Sequence, residues 1–368
     1  MLEVKELTKK YGNNKAIDKL TFTIEEGQIY GFLGPNGAGK STTMNIISGY
    51  LASSSGSVTI NGFDILKDAG KAKSQIGYLP EIPPVYPDMT VREYLVFAAE
   101  LKKLKKAEIK TQVEEIMENL GLKDVSERLI KNLSKGYRQR TGLAQAIIGY
   151  PPIIILDEPT VGLDPLQIIE IRALIKKLGE KHTVILSSHI LQEISAVCDH
   201  IMIISHGRLV GQGTPEELEK SVKGENDTFI TVKSDGERVC DLLKNIKGVT
   251  EAELTAGEND EFSIHVKSDN GEDVREEIFT TLKNSGVCVL EMHTRQMKLE
   301  DVYLKLTSDE YLEELDRQDA ADATEKDAAV QDDMTENKPE KDPDEAVNKE
   351  ESGLVKDEDT NLDKEVDE

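Results

Sequence analysis

Cysteine is scarce in this 368-residue chain: Cys198, Cys240 and Cys288 stand far apart. An odd total without any CxxC pair indicates neither a disulfide framework nor a zinc site, and reduced thiols in the cytoplasm are the plain reading. Long apolar runs are missing too. No uninterrupted stretch approaches the roughly 20 residues that span a bilayer, and Met1-Leu2-Glu3-Val4-Lys5 has no apolar signal core. Work at a membrane would therefore need another chain as the anchor. Basic charge is the third shortage, since the formal net charge is -25. Residues 311–368 carry 23 acidic and 7 basic groups, net -16, which leaves -9 for the first 310 residues. Neither part offers a basic footprint for nucleic acid, so no nucleic-acid partner is expected. Past Tyr311 the chain has few apolar residues and no further aromatics. Such a segment cannot bury enough surface to offset its ordering entropy, and a disordered acidic tail, solvated or used for interaction, is expected over 311–368.

What is present is organised around residues 34–42, GPNGAGKST. Gly34, Gly39, Lys40 and Ser41 fit GxxxxGK[ST], in which backbone N–H groups and a helix N-terminus surround the phosphates of a nucleotide. Glycine is required where a β-carbon would collide with phosphate or forbid the turn. The strand-like run 28–33 precedes the loop, and a helix is expected from about Met44. Lys40 is expected to reach the β- and γ-phosphates and the Ser41 hydroxyl to ligate Mg²⁺.

The chain length suggests two or three structured units. Residues 1–26 alternate in short runs that predict antiparallel strands. Tyr11 lies between these runs, either as surface packing or as a platform for a nucleobase. Strands are predicted at 56–62 and 76–81, and prolines at 80, 83, 84 and 87 then interrupt regular structure. Thr90-Val91-Arg92-Glu93 has capping-box spacing. Residues 88–148 read as helical, with Leu95, Ala98, Leu101 and Leu104 on one face. Ile153-Ile154-Ile155-Leu156 and Thr183-Val184-Ile185-Leu186 read as parallel strands buried on both faces. From 228 the order becomes βαββαβ, which is ferredoxin-like, with His265 and His293 as ordinary packed or surface residues. A closing helix is predicted over 299–306.

Three strand ends deliver polar residues to one rim, where open α/β sheets keep their ligands. After Leu33 comes the phosphate loop, after Leu156 come Asp157 and Glu158, and the strand ending at Leu186 delivers His189. These supply what phosphoryl transfer to water requires. Asp157 has the context of a Mg²⁺ ligand, Glu158 of the base that orients water, and His189 of a γ-phosphate contact. Leu133-Ser134-Lys135-Gly136-Tyr137-Arg138-Gln139 opens a further helix, so that the Ser134 hydroxyl and the Gly136 backbone lie at a positive helix end suited to phosphate.

With that stretch about twenty residues before the Asp-Glu pair, residues 2–218 resemble the ATP-binding subunits of ABC transporters. The resemblance implies an α/β P-loop NTPase, with a RecA-like parallel sheet core, an antiparallel β subdomain and a helical subdomain. Its extent is 1–220, followed by a small ferredoxin-like domain at 228–308. It further implies ATP with Mg²⁺, Tyr11 stacking on adenine, and Gly34, Pro35, Asn36, Gly37, Ala38, Gly39, Lys40, Ser41 and Thr42 as the Walker A loop. Residues 133–139 then correspond to the family signature, Gly162-Leu163-Asp164 to the D-loop, Asp157 and Glu158 to the Walker B pair and His189 to the switch histidine. Nucleotide sits between two such domains, so a second ATP-binding copy is implied, together with permease subunits in a separate chain. The protein would then lie on the cytoplasmic face of the membrane through its permease. Two departures are visible: LSKGYRQ replaces LSGGQ, and Glu81 stands in place of the usual glutamine that contacts the metal. Both resemble bacterial exporter ATPases of the drug-resistance and gliding-motility kind. Export driven by ATP is the function expected, with two alternatives: a soluble ABC-type ATPase on a macromolecular complex, and a nucleotide-sensing module.

Overall fold

In the computed structural model the described residues are 1–221, 226–258, 261–268, 274–295, 298–309, 311–313 and 317. The acidic tail expected over 311–368 lies, apart from the few positions just given, outside them.

The chain begins with β1 (Leu2–Tyr11) and β2 (Asn14–Ile24), which pair antiparallel. Leu2, Val4, Phe22 and Ile24 turn inward from them, as the alternation predicts. Next is β3 (Ile29–Leu33), buried at all five positions, and then α1 (Lys40–Ile47). That helix starts four residues before the expected Met44, so Lys40 and Ser41 occupy its first turn. After β4 (Ser55–Ile60), an Asn61-Gly62 turn with both φ values positive leads into β5 (Phe63–Asp64). Then come α2 (Ala69–Ser74) and β6 (Ile76–Leu79).

The helical region consists of α3 (Val91–Leu101), α4 (Lys106–Asn119) and α5 (Lys135–Ile147). The capping box at Thr90 forms: its hydroxyl accepts from Glu93 N–H at 3.2 Å, and the Glu93 carboxylate accepts from Thr90 N–H at 2.8 Å. The expected apolar face needs a correction. Val91, Tyr94, Leu95 and Ala98 are buried at i, i+3, i+4 and i+7, whereas Leu101 is 66% exposed. Leu101 is the last helical residue, and the chain turns away just after it through Lys103, at φ +59°.

There follow β7 (Ile153–Asp157), α6 (Pro165–Gly179), β8 (Thr183–Ser188), α7 (Leu191–Ser195), β9 (His200–Ser205), β10 (Arg208–Gly213) and α8 (Pro215–Ser221). The largest sheet has the order β10-β9-β3-β8-β7-β6, parallel except for β10, and the antiparallel sheet is β2-β1-β4-β5. One core joins the two sheets and α1, with Phe22 edge-on to Phe32 at 5.2 Å and Met44, Ile155 and Ile185 around them. Burying each such side chain contributes about 1.5–3 kcal/mol.

The remaining elements are β11 (Asn226–Lys233), α9 (Gly236–Lys244), β12 (Val249–Glu258), β13 (Glu261–Ser268), α10 (Arg275–Asn284), β14 (Cys288–Arg295) and α11 (Leu299–Leu306). Their sheet, β12-β13-β11-β14, is antiparallel throughout and has the expected ferredoxin-like order. It has a core of its own: Ile230, Val232, Ile264 and Val266 of the sheet pack on Val239, Leu243, Ile278 and Leu282 of the two helices. Helix α11 returns to the preceding fold, where Leu299 N–H donates to Glu219 at 3.2 Å and Leu306 closes over Gly211. Met1–Glu313 accordingly form one contact unit. Among the described residues no helix is long and apolar enough to cross a membrane.

Candidate active site

The order β3-β8-β7 in the parallel sheet brings three carboxyl ends side by side. Register sets the details: Leu33 lies opposite Ser188, and Asp157 opposite Ser187. Between β3 and α1 the loop turns through Gly37 at φ +84° and Gly39 at φ +104°. A β-carbon on Gly39 would stand 2.6 Å from the Ala16 carbonyl, and one on Gly37 would enter open space. At Gly39 both the surrounding fold and the left-handed backbone exclude a side chain, whereas at Gly37 the left-handed φ alone favours glycine. The first turn of α1 is fixed by Thr43, whose hydroxyl donates to Gly39 O at 2.9 Å.

Lys40 is 5% exposed. Its Nζ donates to Gly34 O at 2.8 Å and Pro35 O at 3.3 Å, and lies 3.6 Å from Glu158 Oε1. Burial lowers its pKa, and the charges of Glu158, Asp157 and Glu81 oppose that shift. Asp157 is also buried. Its Oδ1 accepts from Ser41 Oγ at 3.2 Å and from Ser187 Oγ at 2.5 Å. Glu158 occupies the left-handed region at φ +48°, an unusual conformation for a non-glycine residue. Its N–H donates to both Ser187 Oγ at 2.9 Å and Ser187 O at 3.2 Å, which holds that conformation in place. Its other carboxylate oxygen, Oε2, lies 3.0 Å from His189 Nδ1.

Lys40, Glu158 and His189 border a cleft of about 340 Å³, whose lining is completed by Asn36, Gly37, Gly39, Ser41, Thr42 and Glu81 together with Ala16 and Val161, while Asp157 is joined to it through the Ser41 hydroxyl. Glycine-lined space, a helix N-terminus and a buried ammonium fit a polyphosphate. The Ser41 hydroxyl and Asp157 carboxylate, with Glu81 at the rim, fit Mg²⁺, a cation held by one or two carboxylates plus phosphate oxygens. Among the described residues no cluster of three His, Cys, Asp or Glu could hold a metal by itself. The residues therefore fit a metal that binds together with its nucleotide.

Other expected nucleotide contacts are not part of that cleft. Tyr11 ends β1 half-exposed, with Lys9 Nζ 5.2 Å from its ring centre. Ser134 caps α5, its hydroxyl accepting from Tyr137 N–H at 3.4 Å. Gly136 packs against the Gln167 side chain, and Asp164 caps α6 by accepting from Gln167 N–H at 2.9 Å. Lys135, at the usual place of a signature glycine, lies over Gly162, where a β-carbon would be 2.1 Å from its Nζ. Ser134, Gly136, Gly162 and Asp164 thus form a second cluster, at the adjoining starts of α5 and α6. Ser187 was missed in the sequence. Its position at the end of an apolar strand, next to His189, was the available signal, but its bridge to Asp157 and Glu158 depends on strand register.

Comparison with known proteins fits this geometry. A family model described as ABC transporter matches residues 17–161. The bacitracin transport ATP-binding protein BcrA of Bacillus licheniformis is 34% identical over 309 residues, covering 83% of this chain and 97% of that protein. The linearmycin resistance ATP-binding protein LnrL of Bacillus subtilis is 32% identical over 308 residues, covering 83% and 98%. Among solved structures, an ATP-binding subunit of an ABC transporter aligns at a TM-score of 0.56 with 31% identity, over 60% of this chain and 92% of that one. The dimeric cassette MJ0796, in a post-hydrolysis state bound to ADP and Pi, aligns at 0.53 with 26% identity, over 58% and 98%. The chain belongs to the ABC transporter family as an ATP-binding subunit, an ATPase of transport that uses ATP with Mg²⁺.

Proposed function

We propose that this chain hydrolyses ATP between two ATP-binding copies and so drives export through a separately encoded membrane permease, on whose cytoplasmic side it sits. The observation that carries the reading is the position of Glu158, with one carboxylate oxygen 3.6 Å from Lys40 Nζ and the other 3.0 Å from His189 Nδ1. Lys40 binds the β- and γ-phosphates, and the loop of residues 34–42 surrounds them with N–H groups. Ser41 and Asp157 hold Mg²⁺, with Glu81 at the rim. The bound ion neutralises charge on the phosphate oxygens. Glu158 accepts the proton of the attacking water, while His189 orients its carboxylate and touches the γ-phosphate. Tyr11 stacks on the adenine.

The signature cluster supports the dimer. Ser134, Gly136 and Asp164 lie apart from the cleft of their own chain and serve the cleft of a second copy. Ile82 and Tyr86, 81% and 52% exposed in the proline-rich loop after β6, offer apolar surface to the permease. Residues 1–220 then form the ATPase and 228–308 an accessory domain. Among the relatives, the linearmycin resistance and bacitracin transport proteins favour export as the direction.

Replacing Glu158 with Gln tests the reading. ATP binding and an ATP-dependent dimer, seen by light scattering, should persist while phosphate release falls about 10²–10⁴-fold. Release at the wild-type rate would remove Glu158 as the base.

A further inference from the structure

One buried carboxylate has no part in the scheme above. Glu193 of α7 is 4% exposed, and its Oε2 accepts from two hydroxyls, Thr160 Oγ1 at 2.5 Å and Ser188 Oγ at 3.0 Å. Ser188 Oγ itself accepts from Ile190 N–H at 3.1 Å. Thr160 lies two residues after Glu158, and Ser188 and Ile190 stand on either side of His189. A single oxygen therefore joins the loop behind Glu158 to both flanks of His189. The side chains so carried, Glu158 and His189, meet at 3.0 Å.

The carboxylate is anchored to the sheet as well. Next to it in α7, Ile194 packs so closely on Gly31 of β3 that a β-carbon there would be 2.5 Å from Ile194 Cγ2. With α7 seated on the strand that feeds the phosphate loop, Glu193 refers both loops to one rigid element. Hydrogen bonds from hydroxyls to a carboxylate are among the stronger kinds, and a buried one left without donors is costly. An apolar residue would fill the volume but join nothing.

We propose that Glu193 is a positioning residue for ATP hydrolysis, setting His189 against Glu158 by holding Thr160 and Ser188 on one oxygen. The proposal rests on the reading of Glu158 and His189 given above. A displacement of about 1 Å in such a pair is enough to lower a rate about a hundredfold without altering how substrate is bound.

The test compares Glu193→Gln, Thr160→Val and His189→Ala in the full-length chain with ATP and Mg²⁺. Thr160→Val keeps shape and removes one arm, so it carries the test if Glu193→Gln does not fold. Both are expected to retain their melting temperature within a few degrees and to bind ATP as the wild type does. In Glu193→Gln, kcat should fall about tenfold to a hundredfold, and less in Thr160→Val. The His189 ring resonances, assigned by their loss in His189→Ala, should shift and broaden in both variants. A wild-type kcat in Glu193→Gln beside a collapsed one in His189→Ala overturns the proposal alone. So does a reduced kcat with unmoved His189 resonances, which would make Glu193 a purely structural tie. A wild-type kcat in His189→Ala overturns the reading of the site, and the proposal with it.

Discussion

The six-stranded, mostly parallel sheet and the four-stranded sheet of β11 to β14 are built from equally regular strands, yet they bury different things. At the carboxyl rim of the first, Lys40, Asp157 and Glu158 are 5%, 3% and 7% exposed. Buried apolar positions in the second, among the described residues, are Ile230, Val232, Ala252, Ile264 and Val266, with Thr228 and Ser268 as its buried polar residues. A row of mixed character, Glu253-His265-Phe229-His293, runs across the four strands on the opposite face, where Phe229 stacks between the two histidines at 4.7 and 5.4 Å. Strain divides the same way. Glu158 sits at φ +48°, whereas among the described residues of the second sheet no non-glycine φ is positive. A charge in a low-dielectric rim is strong in chemistry and costly in stability, and the apolar cores of both sheets offset that cost. The second sheet carries only the stabilising half of this arrangement.

The comparison can be broken most directly at Lys40. In Lys40→Met the buried cation is lost, and with it the phosphate contacts proposed above. ATP affinity measured by titration calorimetry should weaken at least about a hundredfold. Hydrogen exchange in β11 to β14 should not change. Exchange accelerating there would mean that charge at the rim and stability of the distant sheet are coupled.

The converse experiment is Ile264→Ala. Ile264 is fully buried, and its truncation should lower unfolding free energy by about 2–5 kcal/mol. The loss should appear in urea denaturation and as faster exchange in β11 to β14, with ATP affinity of the folded protein intact. A parallel fall in affinity would show that the second sheet supports the rim, contrary to the division drawn above.

The parts legible in the sequence are those whose chemistry is local. The glycine spacing of the loop, the apolar run ending in Asp157-Glu158, the Thr90 capping box and the βαββαβ order each depend on neighbours within a few residues. Contacts across strands were not legible, because they depend on register. Nothing near Ser187 in sequence says that it faces Asp157, thirty residues earlier. Glu193 with Thr160 and Leu299 with Glu219 were not legible either, because they join helices and loops far apart in sequence whose docking is set by the whole fold. Periodicity placed Leu101 on a buried face, but could not tell that the helix ends at that residue. The left-handed backbone of Glu158 was also invisible, since the residue type argues against it.

The finest test of the comparison is Ser187→Ala, because it alters the rim without touching a charge. Ser187 Oγ donates to Asp157 and accepts from Glu158 N–H, while the Ser187 carbonyl remains as a second acceptor for that N–H. The variant therefore strips Asp157 of one donor and leaves Glu158 half supported. Leaving a buried polar group short of a partner costs about 1–3 kcal/mol, at or below the loss expected for Ile264→Ala. Holding Glu158 in the left-handed region is itself worth about 1–3 kcal/mol of strain, so the weakened support should let its carboxylate drift. A fall in kcat of about tenfold is expected, read from phosphate release at saturating ATP, with KM little changed because Lys40 and the loop are intact. If kcat stays at the wild-type value while stability falls, the carbonyl of Ser187 is sufficient to set Glu158. The hydroxyl would then belong to the stabilising half of the molecule, even though it lies in the rim.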